Sequence, residues 1–277
     1  MKKIFKLLLV SMMIVITAFS FIGCTKAVTS SDGTSNEVTS NEAGQKTDFI
    51  VGFDDTFVPM GFKDENGEIV GFDIDLAKEV ATRIGLEVKF QPIDWSMKET
   101  ELNSGNIDAI WNGYTITEER KGKVAFAKPY LANRQVIITL ADSDIKAKSD
   151  LAGKKVAAQN GSSSVDAVSK EADVLKNLDG GALILFETNN EALMDLEAGR
   201  SEAVVADEIL ARYYMKERGA EKYNVLEEDF GKEEYGIGFR KTDVELVKKV
   251  DEALDAMRED GTCAEISKKW FGENIVK

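Results

Sequence analysis

From Asp48 onward, short apolar runs alternate with helical periods, and this alternation limits the fold more than any other feature of the chain. "DFIVGF" reads as a strand, "GEIVGFDIDLAKEVATRIG" as a strand and then an amphipathic helix ended by Gly85, and "LEVKFQPI" as another strand. Strands that alternate with helices predict an α/β fold. Ile74, Leu76, Ala77, Val80, Ala81 and Ile84 fall on one helix face, and Asp73 and Asp75 stand in the first turn, where the preferred reading is helix capping. A weak internal repeat reinforces the pattern: "LNSGNIDAI" at 102–110 and "LEAGRSEAV" at 196–204 each read as a helix end, a glycine cap and a strand. The copies lie 94 residues apart, about one small α/β lobe, which predicts two lobes of similar plan rather than one continuous sheet. The cleft between such lobes is the expected ligand site. The chain closes with "DVELVKKVDEALDAMREDGTCAEISKKWFG", two amphipathic helices broken at Gly261, with Trp270 and Phe271 expected in the core and Cys263 expected to serve packing.

The first residues announce export. Met1-Lys2-Lys3 is positive and the seventeen residues Leu7 to Gly23 carry no charge, the layout of a signal peptide over residues 1–23. Phe21-Ile22-Gly23-Cys24 looks like a lipobox, with Phe21 and Ile22 departing from its usual residues, so Cys24 is expected to become a lipidated N-terminus; the competing reading is an uncleaved membrane anchor. Residues 24–47 are rich in Ser, Thr, Asn and Gly without an aromatic residue, a lipidated flexible tether with a span of about 25–30 Å. Either reading puts the globular part outside the cell membrane.

Composition excludes several functions. Loss of residues 1–23 removes Lys2, Lys3 and Lys6 and no acid, which takes the formal charge from −14 to −17 and argues against nucleic acid as a partner. Histidine is absent, so serine–histidine and cysteine–histidine hydrolases are excluded, and no metal or cofactor is expected. The two cysteines, Cys24 and Cys263, provide no internal disulfide framework.

Three stretches carry candidate chemistry. Strand Ile107–Trp111 should end at a ligand crevice, with Asn112, Gly113, Tyr114 and Thr115 at its rim; the glycine permits close approach and Thr115 can donate hydrogen bonds. Thr117 reads as the cap of a helix that places Arg120 in its first turn, where a cation is disfavoured unless an anion neutralises it. Arg120 is either a bidentate carboxylate clamp or a solvated, salt-bridged side chain. "GKKVAAQNGSSSVDAV" gives a strand followed by Gly161-Ser162-Ser163-Ser164 opening a helix, a second anion site or a plain cap; no GxxxxGK[ST] pattern is present. In "GRSEAVVADEIL" a strand ends on Asp207, which either caps the next helix or binds an ammonium.

At these residues the chain resembles the bacterial extracellular solute-binding proteins of family 3, the polar amino-acid receptors of ABC importers. Gly71-Phe72-Asp73-Ile74-Asp75-Leu76, running on through Val80, Ala81 and Ile84, carries the strongest match, and the likeness extends in order over residues 48–277 to the late "YGIGFRK" strand. The resemblance implies a two-lobed, periplasmic-binding-protein-like fold of type II: lobe 1 from 48–131 plus 233–277, lobe 2 from 136–228, and hinge strands at 132–135 and 229–232. It implies that Arg120 and Ser163 hold an α-carboxylate, that Asp207 holds the α-ammonium, and that Asn112, Gly113 and Thr115 complete the grip. Phe57 and Trp95 would flank the ligand side chain, with Asp54 near its tip. Phe57 stands where tyrosine is frequent in related receptors, and Trp111 and Tyr114 where smaller residues are common. Read physically, Phe57, Trp95, Trp111 and Tyr114 either form an aromatic box for a cation or a long flat polar side chain, with Asp54, Asp55 and Glu99 supplying negative charge, or belong to core and rim. Glu99 shares a face with Trp95 if that segment is helical.

The expected function is non-enzymatic: a lipid-anchored, monomeric receptor that binds a polar or cationic L-amino acid, or cystine, and delivers it to a membrane permease. The alternatives on the same fold are a secreted dehydratase with Glu99 as its acid, and an amino-acid sensor.

Overall fold

The computed structural model describes residues 47–277; the leader, Cys24 and the tether up to residue 46 lie outside the described residues. The chain begins with β1 (Asp48–Phe53), a small antiparallel sheet of β2 (Thr56–Phe57), β3 (Gly61–Lys63) and β4 (Ile69–Val70), then α1 (Phe72–Ile84) and β5 (Glu87–Pro92). Next come α2 (Lys98–Asn103), β6 (Ala109–Thr115), α3 (Glu118–Lys123) and β7 (Ala125–Phe126). The long β8 (Leu131–Leu140) leads into β9 (Val156–Gln159), α4 (Ser163–Lys170), α5 (Ala172–Asn177), β10 (Ile184–Phe186), α6 (Asn189–Glu197), β11 (Ala203–Asp207) and α7 (Glu208–Arg218). The seventeen-residue β12 (Tyr223–Phe239) returns to the first group, and α8 (Val244–Glu259) and α9 (Thr262–Phe271) close the chain.

The expected alternation is present, with Gly85 capping α1 in the left-handed region and Gly261 separating the last two helices. One expectation is corrected. The strands do not form two separate sheets: a hydrogen-bonded path runs β10-β9-β11-β8-β12-β6-β1-β5, with β7 added to β12. The reason is that β8 and β12 are long enough to pair with each other, Tyr223 opposite Leu140 at one end and Tyr235 opposite Leu131 at the other, and to carry that pairing from one strand group to the next. Between Val225 and Lys232 the register slips twice, so the ladder is irregular midway.

The repeat has a physical basis. In both copies the acid after the glycine accepts the main-chain amide of a neighbouring segment: Asp108 takes Ile50 N at 2.9 Å and Glu202 takes Lys155 N at 3.1 Å. Each also pairs with a cation, Arg240 at 2.9 Å and Lys154 at 2.9 Å. The core follows the amphipathic face read from the sequence, with Phe72, Leu76, Ala77, Val80 and Ala81 of α1 packed on Phe49, Val51 and Met257, each large side chain contributing about 1.5–3 kcal/mol. Trp270 and Phe271 are half-buried against this core, Phe271 edge-on to Phe72 at 5.0 Å. Cys263 is buried there too, as packing.

Gly71 starts α1 at φ 143°, and a Cβ on it would lie 2.2 Å from the Met60 carbonyl oxygen. That contact is with backbone and cannot swing away. Gly71→Ala is therefore expected to cost on the order of 3 kcal/mol or more in urea unfolding, against about 1 kcal/mol for Gly67→Ala, whose Cβ would meet nothing within 4 Å.

Candidate functional site

All seven residues of β6 are buried, and the candidate site is built outward from this strand. The sequence placed Asn112, Gly113, Tyr114 and Thr115 at a rim beyond the strand; they lie inside β6, where β12 sets Gly236 opposite Tyr114 and Tyr235 opposite Thr115, while Asn112 and Gly113 fall where the register shifts before Gly238 meets Ile110. Gly113 adopts φ 57°, and a Cβ there would lie 2.7 Å from the Phe57 ring, so this position accepts only glycine without displacement. Its amide donates to Asp73 Oδ2 at 2.8 Å, which also accepts from the Tyr130 hydroxyl at 2.8 Å. Asp73 thus anchors β6, and the capping reading of the pair is corrected: Asp75 too turns its carboxylate elsewhere, to Lys269 and the Trp270 indole. Burial pushes the Asp73 carboxyl up to about 7 against the lowering effect of those two donors.

Two buried cations gather at one end. Thr117 caps α3 by accepting from Arg120 N at 3.1 Å, which sets Arg120 in the first turn with its side chain folded back under the strand. Only 3% exposed, Arg120 donates to the Thr115 carbonyl at 3.0 Å and the Gly161 carbonyl at 3.2 Å, and its guanidinium stacks 4.6 Å from the Tyr114 ring centre. Among the described residues no carboxylate pairs with it. Lys98, which the sequence reading missed, is as deeply buried; its ammonium donates to the same Gly161 carbonyl at 2.8 Å and to the Trp95 carbonyl at 2.9 Å. Burial, with Arg120 nearby, pulls the Lys98 amine down to about 8.

Carboxylates gather at the other end. Asp207 closes β11 but does not cap α7 with its side chain; Oδ1 accepts from Asn133 Nδ2 at 2.6 Å, Gln135 Nε2 at 3.0 Å and the Tyr235 hydroxyl at 2.6 Å. Glu233, also missed, accepts from the same Asn133 and Gln135 amides at 2.6 and 2.7 Å and from Thr115 Oγ1 at 2.9 Å. Burial drives the Asp207 carboxyl well above its ordinary range, and the neighbouring Glu233 charge adds to the rise. Between the two ends sits Ser163, its hydroxyl 3.0 Å from Thr115 Oγ1 and 3.1 Å from Gln135 Nε2.

Around Asp54 a third group forms. Its carboxylate is buried and takes Thr56 N at 2.9 Å, Thr56 Oγ1 at 2.7 Å and Gln159 Nε2 at 2.7 Å, while its own amide donates to Asn112 Oδ1 at 3.0 Å. Burial raises its carboxyl. Asp55 turns to the surface and pairs with Lys63 at 2.5 Å. The four candidate aromatics do not make one box. Phe57 and Trp111 belong to the main core, where Trp111 meets Tyr130 at 6.3 Å; Trp95 and Tyr114 belong to another cluster, edge to face at 5.9 Å. Trp95 and Glu99 do lie on one continuous helical stretch, a 3-10 turn running into α2, and Glu99 accepts from the Tyr114 hydroxyl at 2.9 Å.

The two strand groups meet directly here: Asp54 with Gln159, Thr115 with Ser163, Lys98 and Arg120 with Gly161, and the Tyr214 hydroxyl with the Thr56 carbonyl at 3.2 Å. Surface hollows of about 610 and 710 Å3 open elsewhere and include none of these residues. An arrangement with cations at one end, carboxylates at the other and hydroxyls between is complementary to a zwitterion.

These features define a two-lobed α/β solute-binding protein with its ligand cleft between the lobes. The model of the bacterial extracellular solute-binding proteins, family 3, matches residues 49–273, and the chain belongs to that family. It is 30% identical over 239 residues to the L-cystine-binding protein TcyJ of Escherichia coli (strain K12), covering 86% of this chain and 87% of the relative. Among solved structures, an ABC uptake transporter substrate-binding protein from Streptococcus pneumoniae with bound histidine superimposes with a TM-score of 0.81 at 43% identity, over 83% of this chain and 95% of that one. An ancestral arginine-binding protein bound to glutamine gives a TM-score of 0.76 at 43% identity, over 83% and 100%.

The Asp73 carboxyl titrates at about 7 in the folded protein and near 3.8 when unfolded, so the native state binds more protons between those values and its stability falls as pH rises through that window. Asp73→Asn removes this loss. Relative to wild type, the variant is expected to gain up to about 4 kcal/mol between pH 4 and pH 7 in urea unfolding, with no change of the difference below pH 4. A pH-independent difference would contradict the buried, weakly acidic Asp73.

Proposed function

We propose that this chain is the substrate-binding component of an amino-acid ABC importer, receiving a polar or cationic L-amino acid, or cystine, and presenting it to a membrane permease. The observation that carries the reading is charge without a partner: Arg120 is buried and no described carboxylate pairs with it, while no described cation pairs with Asp207. A buried unpaired charge is costly unless a ligand completes it. The ligand carboxylate goes to Arg120 with Ser163 and Thr115, its ammonium to Asp207, and its main chain lies along Asn112 and Gly113. Its side chain runs between Phe57 and Trp95 toward Asp54. The names of the relatives, which include cystine-, arginine- and histidine-binding proteins, support an amino acid of this class.

Glu99 is held by Tyr114 and lies 3.6 Å from Lys98, an engaged position that supports binding over dehydration. Lobe 1 is assigned to 48–131 plus 233–277, lobe 2 to 136–228, and the hinge to 132–135 and 229–232, supported by the slipped register between Val225 and Lys232. Export under residues 1–23 and a lipid anchor on Cys24 complete the proposal, with the body acting as a monomer; no helix of the described residues is long and apolar enough to cross a membrane.

Calorimetric titration of purified, ligand-stripped protein with the standard L-amino acids and cystine tests this reading. One or a few should bind, and Arg120→Ala should weaken them by about 2–5 kcal/mol, a factor of roughly 30 or more. Undiminished binding to Arg120→Ala would refute the clamp, and absence of any binder would refute the receptor.

A further inference from the structure

Glu233 has no part in the grip described above, yet it faces the same cluster as Asp207. Asn133 Nδ2 is 2.6 Å from both Asp207 Oδ1 and Glu233 Oε1, and Gln135 Nε2 is 3.0 and 2.7 Å from them, so the two carboxylates are neighbours on shared donors. No amide, hydroxyl or amine of the described residues reaches Asp207 Oδ2 or Glu233 Oε2. Two carboxylates that meet inside a protein do not readily both ionise; they share a proton or take up a cation.

We propose that Asp207 and Glu233 form a two-carboxylate subsite for the ligand ammonium, and that the pair holds one proton until the amino acid enters and releases it to solvent as the ammonium takes its place. The inference rests on the reading of the chain as an amino-acid receptor. The ammonium brings one positive charge and three donors, which the two free oxygens accept.

The groups that face the pair leave it to titrate largely by itself. Thr115 of β6, Asn133 and Gln135 of β8, Ser163 of α4 and Tyr235 of β12 are uncharged near neutrality. Arg134 of β8 is committed to Glu208 of α7 and Asp229, Glu208 also takes Arg212, and Glu234 pairs with Lys277. Arg120 of α3 is directed to main-chain carbonyls. Asp73 of α1 is the other nearby acid, linked through Tyr130, whose ring centre is 6.4 Å from that of Tyr235. The upward push on the Asp207 carboxyl, from burial and then Glu233, agrees with a proton kept on the pair.

The test is calorimetry of the full chain with L-arginine and L-glutamine at pH 7 in phosphate and in Tris, buffers of very different ionisation enthalpy. Wild type should show a buffer-dependent enthalpy equal to release of about one proton, and an affinity that falls by up to about tenfold per unit as pH is lowered from 8 to 5. Glu233→Gln, which keeps an oxygen for Thr115, should still bind but lose most of that buffer dependence, whereas Asp73→Asn should retain it. Equal enthalpies in the two buffers for wild type overturn the proposal without any variant. So does a release that persists in Glu233→Gln or disappears in Asp73→Asn. If neither these two nor any other amino acid binds wild type, the receptor reading itself falls, an outcome distinct from binding without proton release.

Discussion

The antiparallel pairing of β8 with β12 is the constraint on which the site depends. Those strands join the two groups of elements, and their inward faces supply the polar residues of the anionic end: Asn133 and Gln135 from one, Glu233 and Tyr235 from the other, with Glu233 directly opposite Asn133 in the ladder. Cross-strand neighbours are held within about 5 Å of each other, so a shared hydrogen-bond network there follows from register alone. From β12 the ladder extends to β6, where it fixes Tyr114 and Thr115 and with them the Thr115 carbonyl that Arg120 reaches.

Within that frame the two ends are built by different means. At the cationic end, main-chain carbonyls hold Arg120, with which no described carboxylate pairs, and Lys98, which has only Glu99 at 3.6 Å beside it. At the anionic end, neutral side-chain amides and hydroxyls do the same for Asp207 and Glu233. Hydrogen bonds to neutral groups orient a charge without cancelling it, and preorganised charge of this kind is what lets a cleft select a complementary ligand rather than collapse into internal ion pairs. The surface behaves oppositely: Lys63, Lys121, Lys123 and Lys128 all find carboxylates, as exposed pairs of small energetic weight do.

Much of this was legible in the sequence. The period of α1, the glycine cap at 85, the break at Gly261, the Thr117 cap and the strand ending on Asp207 follow from local rules and stand in the structure as read. What local rules missed depended on distant partners. Asp73 resembles an ordinary first-turn acid until Gly113 and Tyr130 arrive from elsewhere in the chain. The residues after Trp111 read as a rim because an Asn-Gly pair interrupts the apolar run; the chain does turn left-handed at Gly113, but β12 pairs with Tyr114 and Thr115 and so carries the strand past it. Glu233 carried a readable signal: in "EEYGIGF" it alternates with Tyr235 and Ile237, both buried, so an acid on that face points inward. Lys98 carried less, since a lysine one turn after Trp95 reads as solvated surface.

On the receptor reading, the Gly161 carbonyl joins recognition to closure. It lies at the entry to α4, and it accepts from Arg120 and Lys98, which come from the other strand group. Each cation disfavours the other, the repulsion that contributes to the lowered Lys98 amine. A carboxylate between them relieves that repulsion only where both cations stand near Gly161, which is the arrangement with the two groups in contact. A ligand shifts a conformational balance by its differential affinity for the two states, and here the differential is supplied by the residues that hold the ligand's charge. On that reading binding and closing are one thermodynamic event, because the buried charges that attract the ligand are complete only while the two strand groups are in contact.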